Sequence, residues 1–343
     1  MNRQMQTLQV TEIRQVSPWI RCYRLEAAVQ GETLAPFRPG QYLNLFYEID
    51  GTTTTRPYSI ASSPGDREKG FYEVFIHGGG SFTSPWLFQN VRVGSVLTSS
   101  CPEGGFCFDP QRDTRNIIAF SGGMSVTPLR SFARAVVEGS LDAELTVFCG
   151  WDKGEDALFF HEFRRYESQC PRFRAIFAAA KEDYPGMLRG YVDRRMAERY
   201  VTGTDATVFL CGPQEMYRFL ETELLPWKVP PQRWHEEIPG EVHAPEGLQA
   251  DNKQVLLTVQ RDGKQFVVPA RTDETLLTAL ERAGLHPQAR CRCGTCGYCL
   301  STLLEGEVYI PAAWDSRSSR ERMKNKIHPC CSFPLCNVVI ECG

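Results

Sequence analysis

No stretch of this 343-residue chain approaches the length of apolar sequence that a membrane-spanning helix requires. The opening residues, MNRQMQTLQV, lack the apolar core of a secretory signal peptide. A surplus of charge is missing too: 38 Lys and Arg against 41 Asp and Glu leave a formal net charge of −3. That near-balance excludes a general nucleic-acid binder, which would carry a basic excess. Internal repeats and low-complexity tracts are absent. The 42% hydrophobic and 23% charged composition is that of a globular protein, and the length suggests two or three domains.

Cysteine is abundant by contrast, with 14 residues. Single cysteines are scattered (Cys22, Cys101, Cys107, Cys149, Cys170, Cys211), and a dense group lies near the C-terminus. A secreted disulfide scaffold is usually short and spreads its cysteines as a framework. The expectation is therefore a reducing, cytoplasmic setting.

The rhythm of the chain changes twice. Up to about residue 112, short apolar-rich runs such as IRCYRLEAA, QYLNLFYEI and YEVFIHG alternate with turn residues, the pattern of a small antiparallel barrel. From 113 to 235, the strands NIIAFSGG, LTVFCGW and TVFLCGP alternate with helical segments, which predicts a parallel α/β sheet. Residues 236–252, rich in Pro, Glu and Gly, read as a linker. Within 253–343, KQVLLTVQRDGKQFVVP predicts a hairpin turning at Asp262–Gly263, and TLLTALERAGL an amphipathic helix.

The cysteine loop CRCGTCGYC follows that helix. Cys291, Cys296 and Cys299 form C-x4-C-x2-C, and HPCCSFP supplies a distant fourth cysteine; this is the plant-type spacing for a [2Fe–2S] cluster. Gly294 and Gly297 allow the loop to converge. Cys291, rather than Cys293, stands five positions before Cys296. The spacing leaves Cys330 and Cys331 as alternatives for the fourth ligand. A four-cysteine zinc site is the competing reading, but it favours paired C-x2-C knuckles, and the second half of this pattern has none.

Three further motifs precede the cluster. Arg56-Pro57-Tyr58-Ser59 combines an arginine that can grip a phosphate, a ring that can pack on a flat heterocycle and a hydroxyl. His77-Gly-Gly-Gly80-Ser-Phe-Thr-Ser84 offers backbone N–H groups to a diphosphate. Ser121-Gly122-Gly123-Met-Ser125-Val-Thr127-Pro128 lies between a strand and a helix, where a pyrophosphate can approach a helix N-terminus. Thr127 is expected to cap that helix and Pro128 to occupy its first turn. Cys211-Gly212-Pro213 ends a later strand.

In this order the motifs resemble those of the ferredoxin–NADP reductase superfamily across nearly the first 240 residues, and the segment 253–343 resembles a plant-type ferredoxin of β-grasp fold. The whole is similar to three-domain reductases such as phthalate dioxygenase reductase and hybrid-cluster-protein reductase. The resemblance implies a flavin-binding barrel, a nucleotide-binding α/β domain and a [2Fe–2S] domain. It implies flavin contacts at Arg56, Pro57, Tyr58, Ser59, Gly80 and Ser84, with FAD expected and FMN the alternative. It implies nicotinamide contacts at Gly122, Gly123, Thr127, Pro128, Cys211, Gly212 and Pro213. Ser59, Cys211 and the acidic Glu236 are expected at the reacting centre. Because the family's fourth ligand opens a C-x-x-x-P segment, the resemblance selects Cys330. The family pattern has a third glycine where this chain has Ser125. Asp152, after the second strand of the α/β domain, would repel a 2′-phosphate, so NADH is expected over NADPH. The implied activity is hydride transfer from NADH to flavin and single-electron transfer through the cluster to a partner protein, such as an oxygenase or a hybrid-cluster protein. Arg317, Arg320, Arg322, Lys324 and Lys326 form a basic run that could meet an acidic face on that partner. The competing class is an electron-relay or assembly subunit that no longer uses nicotinamide.

Overall fold

The computed structural model describes residues 5–49, 52–79, 83–202, 205–237, 253–285, 289, 292, 294 and 297–342. Gly80, Cys291 and Cys296, and most of the expected linker, lie outside the described residues.

The first sheet contains β1 (Met5–Ser17), β2 (Ile20–Ala27), β3 (Tyr42–Ile49), β4 (Thr52–Ser59), β5 (Phe71–His77) and β6 (Val96–Ser100), in the order β4-β3-β6-β1-β2-β5. It forms a near-closed antiparallel barrel. Leu8 and Val10 face inward on β1, one residue apart, as a pleated strand requires. In β5 five consecutive residues, Tyr72–Ile76, are buried. This strand is covered on both faces: Phe75 joins Ile20, Cys22 and Ala61 in a core continued by Leu129, Phe132 and Phe159.

The second sheet is β7 (Asn116–Gly122), β8 (Glu144–Trp151), β9 (Phe173–Ala179), β10 (Leu188–Arg189), β11 (Thr207–Cys211) and β12 (Trp234–Glu237). Its order is β10-β9-β8-β7-β11-β12, with all pairings parallel. Ile117, Ala119, Val147, Cys149 and Phe209 face one apolar layer, and Ile118, Phe120, Phe148, Val208 and Leu210 the other. Apolar side chains on both faces explain why these strands read as continuous hydrophobic runs.

The third sheet holds β13 (Gln254–Arg261), β14 (Lys264–Arg271), β15 (Ser301–Glu305), β17 (Lys326–Ile327) and β19 (Val338–Cys342); β16 (Val308–Tyr309) pairs separately with β18 (Phe333–Pro334). The order is β14-β13-β19-β15-β17, with β13 and β19 parallel. The helix Leu276–Arg282 adds Leu276, Ala279 and Leu280 to the core formed by Leu257, Val259, Val338 and Ile340. A mixed sheet grasping one helix is the expected β-grasp. The β13–β14 turn is the two residues Asp262 and Gly263, at φ 50° and 70°, the left-handed pair that a tight hairpin needs.

Contacts divide the chain into two units, Met1–Leu43 with Tyr58–Pro239, and Asn44–Pro57 with Gly240–Gly343. Within the first unit, barrel and α/β sheet are joined by a buried charge network. Arg130, on the helix Thr127–Val137, is 4% exposed. It donates to Ala61 O and Glu73 Oε2 at 2.8 Å, and to both carboxylate oxygens of Glu162 at 2.9 and 3.0 Å. Arg134 continues the network to Asp66 at 2.7 Å. Removing one partner from such a network strands the other charges without water. Arg130→Met is therefore expected to cost about 3–5 kcal/mol and to lower the thermal unfolding midpoint, whereas the exposed Arg115→Met should leave it near the wild-type value; scanning calorimetry of the two variants checks this.

Candidate functional site

In open parallel sheets, ligands bind outside the carboxyl ends of the strands where strand order reverses. Here the chain runs outward from β7 through β8, β9 and β10, then returns to the other side of β7 with β11 and β12. The reversal lies between β7 and β11, where Ser121 pairs with Cys211. The two glycine motifs meet at that point. A Cβ on Gly122 would stand 2.8 Å from Pro213 Cδ and 2.9 Å from Met216 Sδ; one on Gly212 would stand 2.6 Å from Met216 Sδ. The motifs GGMSVTP and CGP therefore pack against each other at the strand reversal.

Gly123, at φ 58°, opens a short 3₁₀ turn leading into the helix Thr127–Val137. Pro128 occupies the first helical turn, as expected. Thr127 does not cap: its hydroxyl donates to Met124 O at 3.2 Å, and no side chain caps this helix. The first-turn N–H groups of that helix thus have no side-chain acceptor, which suits an anionic ligand group. Cys211 is 1% exposed, and its Sγ lies 3.6 Å from Phe120 O. Burial pushes its thiol well above the ordinary range, so it acts here as a neutral, space-filling group and not as a nucleophile.

Strand β4 ends at Ser59, whose hydroxyl donates to Glu237 Oε1 at 3.1 Å. Glu237 is the last described residue of β12, beside Cys211 in the sheet register. Burial pushes its carboxyl up to about 8, against the opposing hydrogen bond from Ser59. Tyr217 OH donates to Glu237 O and accepts from Gly212 N at 3.0 Å, tying the CGP turn to this strand end. Glu236, the acidic residue expected here, does not make the contact with Ser59. Glu236 is exposed, and its Oε1 accepts from Trp234 Nε1 at 2.7 Å. Alternation along β12 buries His235, turns Glu236 outward and returns Glu237 to Ser59, a parity that the sequence HEE does not reveal.

Tyr58 and Pro57 are half-buried on β4, and Ser84 lies in the first turn of the helix Thr83–Asn90, directly after the glycine run. Arg56 is buried, donating to Thr55 O at 3.0 Å and standing 3.5 Å from Glu281 Oε2.

Of the four expected cluster ligands, Cys299 and Cys330 are described. Both are buried, with their Sγ atoms 3.4 Å apart. Two thiolates on one tetrahedral metal with bonds of about 2.3 Å would be separated by roughly 3.8 Å, so this pair fits a shared iron. Gly294 N donates to Cys330 Sγ at 3.1 Å, and a Cβ on Gly294 would stand 2.3 Å from Trp314 O. The neighbouring Cys331 Sγ faces Trp314 O and His328 O at 3.6 and 3.5 Å. The donors present fit a thiolate-held cluster.

Family models match in the order of these sites: an oxidoreductase FAD-binding domain over residues 7–108, an oxidoreductase NAD-binding domain over 120–222 and a 2Fe–2S iron–sulfur cluster binding domain over 259–335. The glycine betaine monooxygenase reductase subunit of Chromohalobacter salexigens is 29% identical, over 89% of this chain and 87% of its own length. The NADH oxidoreductase HCR of Escherichia coli is 26% identical, over 89% of each chain. The solved structure of phthalate dioxygenase reductase superposes with a TM-score of 0.75 at 21% identity, over 98% of this chain and 97% of that one. The chain therefore carries FAD-binding, NAD-binding and 2Fe–2S cluster-binding domains in one polypeptide, and the zinc reading is set aside.

Glu237 gives a pH test. Its folded-state value, about 8, lies above the ordinary value of 4.5. Between these values the folded state binds more protons than the unfolded state. This contribution to stability is thus complete below about pH 4.5 and is lost as pH rises through about 8. Glu237→Gln should remove that component, so the difference in unfolding midpoint between variant and wild type should shift in the variant's favour from pH 5 to pH 9. A pH-independent difference would show that Glu237 does not titrate in this window.

Proposed function

We propose that this reductase takes a hydride from NADH and delivers electrons singly, through its [2Fe–2S] cluster, to the terminal component of an oxygenase system. Residues 1–112, 113–235 and 253–343 are taken as its flavin, nicotinamide and cluster domains, with 236–252 as linker. A bound flavin supplies the conversion of a two-electron donor into two single-electron deliveries. The observation that carries the reading is Ser59 on Glu237 at the carboxyl end of β12, beside Cys211 and the β7–β11 reversal. It brings the last residue of the flavin motif to the crevice of the nicotinamide motif.

The chain's own groups divide the work. Gly122 and Gly212 let the two motifs pack closely, and the uncapped helix start leaves backbone donors for a dinucleotide. Cys211, neutral and buried, is the packing surface that sets the depth of a nicotinamide ring. Ser59 and Glu237 form a hydroxyl–carboxyl pair titrating near neutral pH, suited to receive the proton that remains when hydride electrons depart singly. Arg56, Tyr58 and the glycine run up to Ser84 are assigned to the flavin, and Cys291, Cys296, Cys299 and Cys330 to the cluster.

NADH is favoured over NADPH. In the turn after β8, Asp152 is ion-paired with Lys181 at 2.6 Å, and Lys153 faces Glu155 at 3.7 Å. Each of these cations already has a carboxylate partner where a 2′-phosphate would need one of its own. The cytoplasmic setting expected from the cysteines keeps the ligands as thiolates. No helix among the described residues is long and apolar enough to cross a membrane.

An oxygenase acceptor is supported by the relative named as a monooxygenase reductase subunit. For docking, the basic run separates into two roles. Arg317 turns inward, its Nε and Nη2 gripping Asp315 at 2.7 and 2.8 Å, and Lys326 donates to Thr302 at 2.7 Å. Arg320 and Lys324 are exposed around Met323, which is 80% exposed, and Arg322 is exposed beside them while its Nε donates to Arg317 O at 3.2 Å and its Nη2 stands 3.7 Å from Asp315 Oδ2. Since Ser316 donates to Gly294 O and Trp314 O abuts Gly294, this segment packs on the cysteine loop. An acidic partner face steered here would arrive beside the cluster.

Two experiments test the proposal. An anaerobic NADH titration should bleach both flavin and cluster absorbance, and Cys299→Ser should retain NADH–ferricyanide activity while losing cytochrome c reduction; retained cytochrome c activity would refute a route through the cluster. Separately, the double reversal Arg320→Glu with Arg322→Glu should slow reduction of the native oxygenase at least tenfold at low salt and leave ferricyanide reduction within twofold of wild type. Equal slowing of both, or of neither, counts against this docking surface.

A further inference from the structure

One hydroxyl at the carboxyl end of the α/β sheet serves two backbones. Tyr217 lies on the helix Gln214–Glu223 and is 8% exposed. Its OH accepts from Gly212 N at 3.0 Å and donates to Glu237 O. Gly212 follows the last residue of β11, and Glu237 is the last residue of β12. Burial pushes the phenol above its ordinary range, so it stays a neutral hydroxyl that donates and accepts at once.

Both backbones depend on that hydroxyl for a fixed place. Strand β12 has four residues and pairs with β11 at the edge of the sheet among the described residues. Toward its start it is pinned from the side: His235 Nε2 lies 2.8 Å from Asp113 Oδ1, and its ring packs on Phe209 with centroids 4.5 Å apart. At its end Tyr217 supplies the second hold. Gly212 is buried and has left the strand, and a buried N–H without an acceptor is costly. A Cβ there would stand 2.6 Å from Met216 Sδ, so the turn is confined on one side by Met216 and tied on another by the next residue of the same helix.

The two tied segments share an object. Cys211, beside Gly212, is the buried group assigned above to a nicotinamide ring, and the Glu237 side chain meets Ser59 of the flavin motif at 3.1 Å. We propose that Tyr217 is a positioning residue for hydride transfer: its hydroxyl ties the Cys211–Gly212 turn to the strand end bearing Glu237, and so holds the nicotinamide-packing group and the Ser59–Glu237 pair at one spacing. The inference rests on the hydride-transfer reading above. The hydride carries both electrons from NADH to the flavin and leaves NAD⁺; Tyr217 itself forms and breaks no bond. Spacing matters because a displacement of about 1 Å between reacting groups can cost about a hundredfold in rate.

The experiment uses the purified holoprotein, Tyr217→Phe and a control, Tyr72→Phe. Tyr72 is fully buried in the barrel and its OH donates to Ala35 O, so the control removes the same group from a different place. Flavin content should match wild type in both, and both should lower the thermal unfolding midpoint. In Tyr217→Phe alone, the limiting rate of flavin reduction by NADH in anaerobic stopped flow should fall at least about tenfold. The long-wavelength absorbance that NAD⁺ gives when stacked on reduced flavin should weaken with it. A loss of stability with rate and absorbance at wild-type values overturns the proposal. So does a change in only one of the two, or equal changes in both variants. If Tyr217→Phe does not retain flavin, Tyr217→Met, which fills much of the space without the hydroxyl, is read in its place with the same outcomes. Loss of flavin from both variants would make the hydroxyl a requirement of the fold and would also overturn the proposal. Failure of the underlying reading is distinguishable, because NADH would then leave the wild-type flavin oxidised.

Discussion

The contact between Ser59 and Glu237 depends on one buried guanidinium. Ser59 belongs to the barrel and Glu237 to the α/β sheet, yet their side chains meet at 3.1 Å. Such a contact requires the two folds to be locked in rotation as well as pressed together. Apolar burial around Phe75, Phe132 and Phe159 supplies attraction without direction. Arg130 supplies direction: it reads a barrel carbonyl, a barrel carboxylate and a carboxylate of the α/β domain through planar, fixed donors. Small rotations that apolar packing would tolerate would break one of those bonds.

Two half-buried carboxylates of this unit carry opposite electrostatic shifts. Burial alone would raise Glu162, but Arg130 beside it brings its carboxyl below the ordinary value. Glu237 has only a hydroxyl to oppose burial and stands near 8. The first is therefore held as a permanent anion that anchors the fold. The second changes protonation state at a higher pH, and such divergence of like groups is what environment alone can produce in one fold. Arg130 thus keeps Glu162 charged while its bonds to the barrel lock the two folds together.

What was legible in the sequence follows the range of the interactions involved. The Asp262–Gly263 hairpin, the Pro128 helix start and the order of the three folds depend on neighbouring residues or on simple periodicity, and each is written locally. The acidic partner of Ser59 is not. Glu236 and Glu237 differ only by parity on a four-residue strand, and parity is fixed by the pairing of β12 with β11, which sequence alone leaves open. Thr127 has the composition of a cap, yet the 3₁₀ turn before it offers Met124 O as a nearer partner. The pairing of Arg56 with Glu281 spans 225 positions, and no local pattern announces it.

Ser125 shows how a departure from a family pattern should be weighed. A glycine in such a motif answers one of two demands, a backbone angle or a lack of space. Gly123 answers the first, at φ 58°, and Gly122 answers the second, with Pro213 and Met216 where a Cβ would stand. Ser125 is not among the residues with positive φ, and it lies within a regular 3₁₀ turn that any residue can adopt. The departure falls where the backbone of this chain makes no demand for glycine. The glycines that do meet a demand, Gly122 and Gly212, remain and let the two motifs pack together. The replacement at 125 therefore strains nothing in the backbone of this turn, and the reading of the chain as a relay that no longer uses nicotinamide draws no support from strain there.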